Sequence, residues 1–272
     1  MPEGHVTHRL ANGLTEMFGG HPVAVSSPQG RFADEAALLD GGVLHSAEAH
    51  GKHLFVDFGP DRVVHIHLGL IGKLWLIDGV PTSPAGPGTL RLRIARDRYS
   101  AELRGPQWCR LVTDEARDEI IAASGDDPIR PESTGQKAWA KITRSGRSIA
   151  SLLMDQSVTA GVGNIFRAEV LFRHRVNPFK EGRTISRRTW NAMWADLVQL
   201  MQAAVTVGRI DTVRDEHLPE VMGRAPRVDR HGGEVYVYRR AGAACLVCGT
   251  PVRTQLLEGR NLYWCARCQR RR

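Results

Sequence analysis

The segment DQSVTAGVGNIFRAEVLF (155–172) places a glycine-rich turn directly before a run of helical periodicity. Asn164 stands at the junction, where an asparagine side chain can cap the helix predicted to begin near Ile165. Glycines let the backbone approach another group closely, and the N–H groups at a helix start bind phosphate. Two interpretations stay open, a plain capped turn and a phosphate contact, and physics alone favours the plain turn.

The patterns on either side of this segment differ. An N-terminal helix is predicted over about 3–18, and short alternating runs then continue to about residue 110: KHLFVDFG, VVHIHLGL, KLWLID, LRLRIAR and AELRG. Turn residues separate these runs, including the proline-rich loop PTSPAGPG (81–88). From about 114 the periodicity is helical, which places a boundary near 112–132. The sequence therefore predicts an α+β multidomain protein whose antiparallel sandwich or barrel is followed by a helical domain.

Four cysteines give the strongest chemical pattern. Two close pairs form CLVC–x16–CARC, a spacing that suits tetrahedral zinc: Cys245, Cys248, Cys265 and Cys268. Four thiolates leave no open position on the metal, so we predict one structural zinc ion. Between the pairs, Gly259–Asn261 is the predicted tip of a hairpin, and Arg260 stands there as either a solvated arginine or a nucleic-acid contact. Cys109 is left without a role.

Composition narrows the class of partner. The 272 residues include 37 Lys and Arg against 29 Asp and Glu, a net charge of +8, and the sequence pI is about 9.6. Such a balance fits either a protein that neutralises phosphates or a merely solvated basic surface. No apolar run approaches the length of a membrane span, and no secretion signal is evident. The expected location is the cytoplasm.

The first ten residues, MPEGHVTHRL, allow two interpretations. Proline followed by glutamate is a good helix start, because the missing N–H costs nothing and the acid complements the helix dipole. Alternatively, removal of Met1 leaves Pro2 with a free secondary amine, a nucleophile that needs no side chain.

Several single residues are ambiguous by themselves. Lys52 precedes a strand and is of a type usually solvated, and Leu70 in HLGLIG is of a type usually in the core. His65 and His67 form an HxH pair on one strand face, but no third metal ligand has a recognisable spacing.

Taken in order, these motifs resemble one family. The motifs are a proline–glutamate start, a lysine in GKHL, HLGLIG, DQ…AGVGNI…AEVLF, and the paired cysteines with an arginine five residues before the third. Together they are similar to those of the formamidopyrimidine-DNA glycosylase/endonuclease VIII family of base-excision repair. The resemblance runs from Pro2 to Gln269 and is closest to actinobacterial endonuclease VIII-like proteins.

The resemblance implies three domains with damaged DNA bound in the cleft between them. They are a β-sandwich catalytic domain (1–115), a helix–two-turn–helix DNA-binding domain (116–235) and a zinc finger (236–272). It implies a monomeric bifunctional DNA glycosylase/AP lyase that cleaves the strand by β,δ-elimination through an N-terminal proline Schiff base.

The implied roles fall on matching positions. Pro2 is the nucleophile and Glu3 the acid and base, while Lys52, Asn164 and Arg260 contact phosphates. Leu70 fills the space left by the flipped base. Glu169, in AEVLF, helps to shape the catalytic end of the site.

Two departures bear on the chemistry. Family members commonly have glutamate where this chain has His5. No basic–aromatic–glycine segment like that of purine-directed members occurs between 97 and 106. We therefore expect oxidised pyrimidines as substrates, with an oxidised-purine glycosylase and a catalytically silent, zinc-containing DNA-binding protein as the alternatives.

Overall fold

A computed structural model describes residues 2–79, 89–229 and 233–270. Met1 and the predicted proline-rich loop at 81–88 lie outside the described residues. The chain divides into two compact units, Met1–Ala123 and Ser124–Arg272. Among the described residues, no helix is long and apolar enough to cross a membrane.

The first unit is a β-sandwich preceded by a helix. Its helices are α1 (Gly4–Phe18), α2 (Ala33–Leu39) and α3 (Asp114–Ala123). Its strands are β1 (His21–Pro22), β2 (Ala24–Ser26), β3 (Val43–Leu44), β4 (Ser46–His50), β5 (His53–Asp57), β6 (Val63–His67), β7 (Lys73–Asp78), β8 (Leu90–Arg96), β9 (Tyr99–Arg104) and β10 (Trp108–Val112).

Two antiparallel four-stranded sheets form the layers of this sandwich. One has the order β10-β6-β5-β4 and the other β2-β8-β9-β7, and β1 pairs with β3 separately. Alternation along the strands turns one face of each sheet inward, where residues such as Leu54, Ile66 and Leu103 join the side chain of Leu14 from α1 in one core. Because α1 contacts β4 and β5, the chain's N-terminus lies over the first sheet.

The second unit is helical and ends in a hairpin. Its helices are α4 (Gln136–Ile142), α5 (Ile149–Leu152), α6 (Asn164–Arg173), α7 (Arg187–Val207) and α8 (Pro219–Met222), with 3₁₀ turns at Gly182–Thr184 and Asp215–His217. The hairpin consists of β11 (Arg253–Leu257) and β12 (Arg260–Trp264). Helix α6 is buried along nine of its ten residues, including the polar Asn164, Arg167 and Glu169, and α7 and β12 pack against it within one core.

The structure alters three of the sequence-based expectations for single elements. The helical periodicity of SIASLLMDQS (148–157) predicts one helix, but this helix ends at Leu152, because the Asp155 and Gln156 side chains bond to the backbone of the following loop. The sequence also predicts that Asn177–Pro178 breaks the helix of NIFRAEVLFRHR, but α6 ends earlier, through left-handed Arg175 (φ 54°). The hairpin turn is Glu258–Gly259, and Arg260 already belongs to β12.

Candidate functional site

The N-terminus is built around a buried carboxylate. Pro2 is half-buried, Glu3 is the N-cap residue of α1, and the carbonyl of Glu3 accepts from the amide of Val6 at 2.9 Å. The Glu3 side chain is only 2% exposed, yet it makes no capping bond to the helix. A carboxylate enclosed here and not used as a cap lies one residue from the Pro2 nitrogen.

His5, which stands where the family commonly has glutamate, follows on the same helix. Its side chain is buried, and burial lowers its pKa to about 4. The imidazole is therefore neutral at physiological pH. It adds no positive charge next to Pro2 and cannot supply the negative charge of a glutamate.

Lys52 lies in the two-residue turn that joins β4 to β5. His50 and His53 are the paired residues on either side, and Gly51 has φ 59° while Lys52 does not take a positive φ. This is the glycine-first pattern of a type II′ hairpin, which fixes the strand register. Because α1 contacts both strands, Lys52 is held rigidly in the same unit as Glu3.

Leu70 stands in the turn that follows β6. The turn closes through a bond from the amide of Gly72 to the carbonyl of Leu68 at 3.0 Å, and Gly69 takes φ 68°. Leu70 is 63% exposed, and its neighbour Ile71 is 81% exposed. The expectation that a leucine here prefers the core is therefore wrong, and two adjacent apolar side chains face solvent from a tight turn.

The HxH pair belongs to an aromatic cluster and not to a metal site. His53 Nδ1 lies 2.9 Å from His65 Nε2, and Trp108 stacks on His67 with ring centroids 4.5 Å apart. Burial, and then the neighbouring positive charges, lowers the pKa of His65 to about 3 and that of His53 to about 4. In the part of the chain that the structure describes, only the four cysteines group closely enough to hold a metal.

Asn164 has a different partner from the one that its position predicts. It is the first residue of α6, Gly163 is the N-cap, and Asn164 makes no capping bond. Its Nδ2 donates to the carbonyl of Asn261 at 2.9 Å, and its Oδ1 accepts from Nη2 of the buried Arg167. The glycine-rich loop and the hairpin are thus joined at Asn164, next to Arg260.

Arg260 begins β12 and pairs with Leu257 across the turn. Glu258 and Gly259 both have positive φ, 46° and 75°, the pattern of a two-residue type I′ turn. Arg147 holds this tip from the side, because its guanidinium contacts Glu258 at 3.3 Å and Asp155 at 2.8 Å. Arg260, Asn164 and the 155–163 loop are therefore joined on one side of the second unit, which we name the front surface.

Glu169 is completely buried (0% exposed) and is surrounded by donors. Oε1 accepts from the amides of Val237 and Tyr238 at 2.9 and 2.8 Å, and Oε2 accepts from the amide of Tyr236 at 2.7 Å and from Thr212 Oγ1 at 2.6 Å. A carboxylate used in this way fixes the backbone of 236–238 against α6.

The four cysteines meet as their spacing predicts. Their sulfurs all lie within 4.8 Å of one another, with Cys245 Sγ 3.9 Å from Cys268 Sγ and Cys248 Sγ 3.4 Å from Cys265 Sγ. Sulfurs about 2.3 Å from a tetrahedral zinc lie about 3.8 Å apart, so this set fits one structural zinc ion. Burial raises the pKa of the fifth cysteine, Cys109, to about 12, which leaves it an inert thiol.

Comparison with known proteins agrees with this architecture. Residues 1–107 match the formamidopyrimidine-DNA glycosylase N-terminal domain, and residues 124–215 match the formamidopyrimidine-DNA glycosylase H2TH domain. Endonuclease 8 1 of Mycobacterium tuberculosis is 48% identical, with 99% of this chain and 100% of that protein covered. A formamidopyrimidine-DNA glycosylase of Aromatoleum aromaticum is 32% identical over 100% of this chain and 99% of that protein.

Solved structures share the fold. Lactococcus lactis Fpg in complex with abasic-site DNA has a TM-score of 0.79 at 19% identity, covering 99% of this chain and 100% of that chain. The MutM (Fpg) protein of Thermus thermophilus has a TM-score of 0.75 at 23% identity, with 98% of each chain covered.

Sequence and fold thus agree on one class of protein, the DNA glycosylases that also cleave the strand at the abasic site. The chain belongs to the formamidopyrimidine-DNA glycosylase/endonuclease VIII family, and it is an endonuclease VIII-like DNA glycosylase and AP lyase of base-excision repair.

Three residues of the site were missed from the sequence. Arg167 orients Asn164, Arg147 holds the hairpin tip, and Ile71 is exposed beside Leu70. A signal existed only for Ile71, since the HLGLIG turn contains two apolar residues between glycines. Arg147 acts through Glu258, which is distant in sequence, and Arg167 acts through Asn164, three positions away on the same helix.

Proposed function

We propose that the protein removes oxidised pyrimidines from DNA through the amine of Pro2 and then cleaves the strand by β,δ-elimination. The observation that carries this proposal is the Glu3 carboxylate, 2% exposed and not used as a helix cap, directly beside the Pro2 nitrogen. Glu3 is the proposed proton-transfer group, and the helix that it precedes, α1, packs against β4 and β5.

The amine suits its task. An α-amino group has a reference pKa of about 7.7–8.0, so on the order of a tenth is neutral near pH 7, whereas a lysine is neutral hundreds of times less often. The neutral nitrogen attacks the sugar C1′, and the base leaves with the glycosidic electron pair and a proton from Glu3. The C1′–O4′ bond then breaks and opens the sugar ring, with the proton of the attacking nitrogen passing through Glu3 to O4′, and the resulting iminium is the electron sink for both elimination steps.

Strand cleavage then needs only proton removal. Loss of the C2′ proton expels the 3′ phosphate, and loss of the C4′ proton expels the 5′ phosphate. Water finally hydrolyses the iminium and returns the free amine. The proposed phosphate contacts are Lys52 in the first unit and Asn164 and Arg260 in the second. One amide hydrogen of Asn164 is used by Asn261, and the other faces no acceptor among the described residues.

Leu70 is proposed to fill the space of the flipped base, and Ile71 extends the same apolar edge. Both side chains are exposed on a closed turn, so their insertion into a base stack buries apolar surface at little conformational cost. Unstacking costs a few kcal/mol, which a damaged base lowers.

The pyrimidine preference is supported by a short connection. Only Gly105, Pro106 and Gln107 join β9 to β10, which leaves no room for a basic–aromatic–glycine segment there. We expect faster excision of oxidised thymine than of oxidised guanine from otherwise identical duplexes. The reverse order overturns this preference and makes the protein an oxidised-purine glycosylase.

Borohydride trapping tests the nucleophile. With damaged DNA, reduction of the iminium should leave a covalent adduct that maps to residue 2 by mass spectrometry. A variant with one residue added before Pro2 turns the amine into an amide, so trapping should disappear while zinc content and DNA affinity remain. Trapping at the normal rate in that variant overturns the mechanism, and absence of trapping in the unmodified protein favours a silent DNA-binding protein.

A further inference from the structure

A large basic cavity opens in the second unit, and no residue of the proposed reaction lines it. It has a volume of about 650 Å³ and lies at the C-terminal end of α6, beside the partly exposed cysteines Cys248 and Cys268. Its cationic side chains are Arg175, Lys180, Arg267 and Arg270. None of the described residues that line it is acidic.

Among the described residues, the four cations have no neutralising partner, since no carboxylate there forms an ion pair with any of them. The nearby Asp196 is already bound to Arg173 at 2.7 Å and to His174 at 3.1 Å. Like charges around one cavity repel each other, and the thiolates of the zinc site beside it offset only part of the four positive charges, so an added anion is favoured there.

The start of α7 gives an independent indication that an anion is favoured at this cavity. This 21-residue helix begins Ser186–Arg187–Arg188–Thr189 and has no acidic residue in its first turn. Arginines at the positive end of a helix dipole are unfavourable, and anions are favoured there. Ile185 and Thr189 border the cavity, so the positive end of α7 adds to the field of the four cations.

The cavity is also separate from the front surface. Asn164 begins α6, whereas the cavity begins just beyond its last residue, and a ten-residue helix is about 15 Å long. Arg260 begins β12, whereas Arg267 and Arg270 follow that strand, whose five residues span about 16 Å. Both elements therefore place the front surface and the cavity at opposite ends.

We propose that this cavity, which we name the rear site, binds the phosphates of a second, undamaged DNA segment while the front surface holds the damaged one. Charge dominates its lining, and the apolar residues are few: Val176, Ile185 and Val247. Four cations with so little apolar surface between them suit a phosphate backbone better than an acidic peptide, whose apolar side chains need pockets.

The proposal rests on the proposed function only in that the protein meets DNA; it needs no Pro2 chemistry. Each phosphate contact at the rear site releases counterions, which favours binding of the second segment. A protein that holds a second segment stays on DNA as it moves between neighbouring strands. The front surface and rear site can therefore be measured separately.

The test uses the full-length zinc-loaded protein saturated with a short duplex, about 12 base pairs, that carries a reduced abasic site. A fluorescent undamaged duplex is then titrated at low salt and followed by anisotropy. We expect the unmodified protein to bind this second duplex, and Lys180→Gln/Arg270→Gln to bind it about tenfold more weakly, with a salt slope smaller by about two. Cleavage of a short damaged duplex should not change.

The matched control removes the same charge from exposed arginines of the first unit. Arg31→Gln/Arg62→Gln should bind the second duplex normally, and zinc content should be equal in all three proteins. Failure of the unmodified protein to bind a second duplex, or equal weakening in the control, overturns the proposal. Binding of poly-glutamate instead of DNA at the rear site overturns the choice of ligand. If the unmodified protein binds the second duplex but does not cleave damaged DNA, the result contradicts only the proposed function.

Discussion

The Nδ2 atom of Asn164 donates to the backbone carbonyl of Asn261 at 2.9 Å, across 97 positions of sequence. One side chain therefore links the start of α6 to the zinc-bound hairpin and sets the spacing between the glycine-rich loop and Arg260. A residue that looks like a local helix cap is a long-range junction.

Asn164→Ala should therefore weaken binding to a short damaged duplex and reduce the salt slope by about one, because the second amide hydrogen is the proposed phosphate donor. Thr15→Ala is the control, since Thr15 also bonds to a carbonyl distant in sequence, that of Ala47 at 3.2 Å, and does not line the rear site. Both variants should lose about 1 kcal/mol of unfolding free energy. Equal DNA affinity for the two in fluorescence titrations at several salt concentrations argues against a phosphate contact by Asn164.

Glu3→Gln should separate the two chemical steps. The shape is nearly unchanged, but the proton-transfer group is gone, so excision of an intact damaged base should fall by about 10²-fold or more. Cleavage at a preformed abasic site should survive, because the base has already left. Parallel single-turnover assays on the two substrates measure the ratio of the excision rate to the rate of cleavage at the abasic site. An equal loss of both rates contradicts the role of Glu3 in base departure.

Cys248→Ser, or a strong chelator, should release zinc and loosen β11 and β12 first, because metal binding supplies folding free energy to such a hairpin. Hydrogen exchange should rise in 245–268 and stay unchanged in the β-sandwich. Cys109→Ser is the control, since Cys109 is buried in the first unit and should leave the metal content at one zinc per chain. Active protein without zinc contradicts the structural role of the metal.

Glu169→Gln should destabilise the second unit by roughly 3 kcal/mol. In this variant an amide nitrogen takes the place of one carboxylate oxygen, which accepts from two donors. These donors are buried and cannot bond to water instead. Glu181→Gln loses only a surface ion pair with Arg183 and should cost less than about 1 kcal/mol. Urea denaturation followed by tryptophan fluorescence compares the two, and similar midpoints contradict the clamp.

The histidine cluster makes the β-sandwich sensitive to acid. The pKa of His65 is lowered to about 3 and that of His53 to about 4 in the folded protein, against an unfolded value of about 6.5. The unfolded chain therefore takes up protons first, so stability is complete above about pH 6.5 and falls as the pH drops toward 4.

Removing one of these imidazoles should flatten that profile. His65→Gln keeps an acceptor for His53 and Trp108 but cannot titrate, so its unfolding free energy should depend less on pH between 4 and 6.5. His21→Gln, on an exposed residue, should leave the slope as it is. Identical slopes for all three proteins in chemical denaturation contradict the assignment.

The periodicity of the sequence was enough to predict that a strand-rich segment is followed by a helical one, because burial imposes a period of two on strands and 3.6 on helices. The zinc site was also predictable, since its ligands come in two local pairs. Strands β4 and β10 escaped notice because SAEAH and WCRLV are short and mix polar with apolar residues. Their pairing with β5 and β6 is a property of the assembled sheet.

The contacts of the site were least predictable where a partner is distant. Capping rules see three or four residues, so they assign Asn164 to its own helix and cannot find Asn261. Likewise, nothing near Glu169 in sequence announces the amides of 236–238 that surround it. The positions of the proposed site residues followed from the family resemblance, and their roles remain predictions.

The two-residue turn at Gly51–Lys52 also limits how this protein can evolve. A hairpin loop of this length has no slack, so one inserted or deleted residue reverses which face each following side chain of β5 takes. The change moves Leu54 and Val56 out of the core as it moves the lysine. Surface loops elsewhere tolerate such insertions. At this turn an insertion disrupts folding, so it is selected against even apart from any effect on DNA repair.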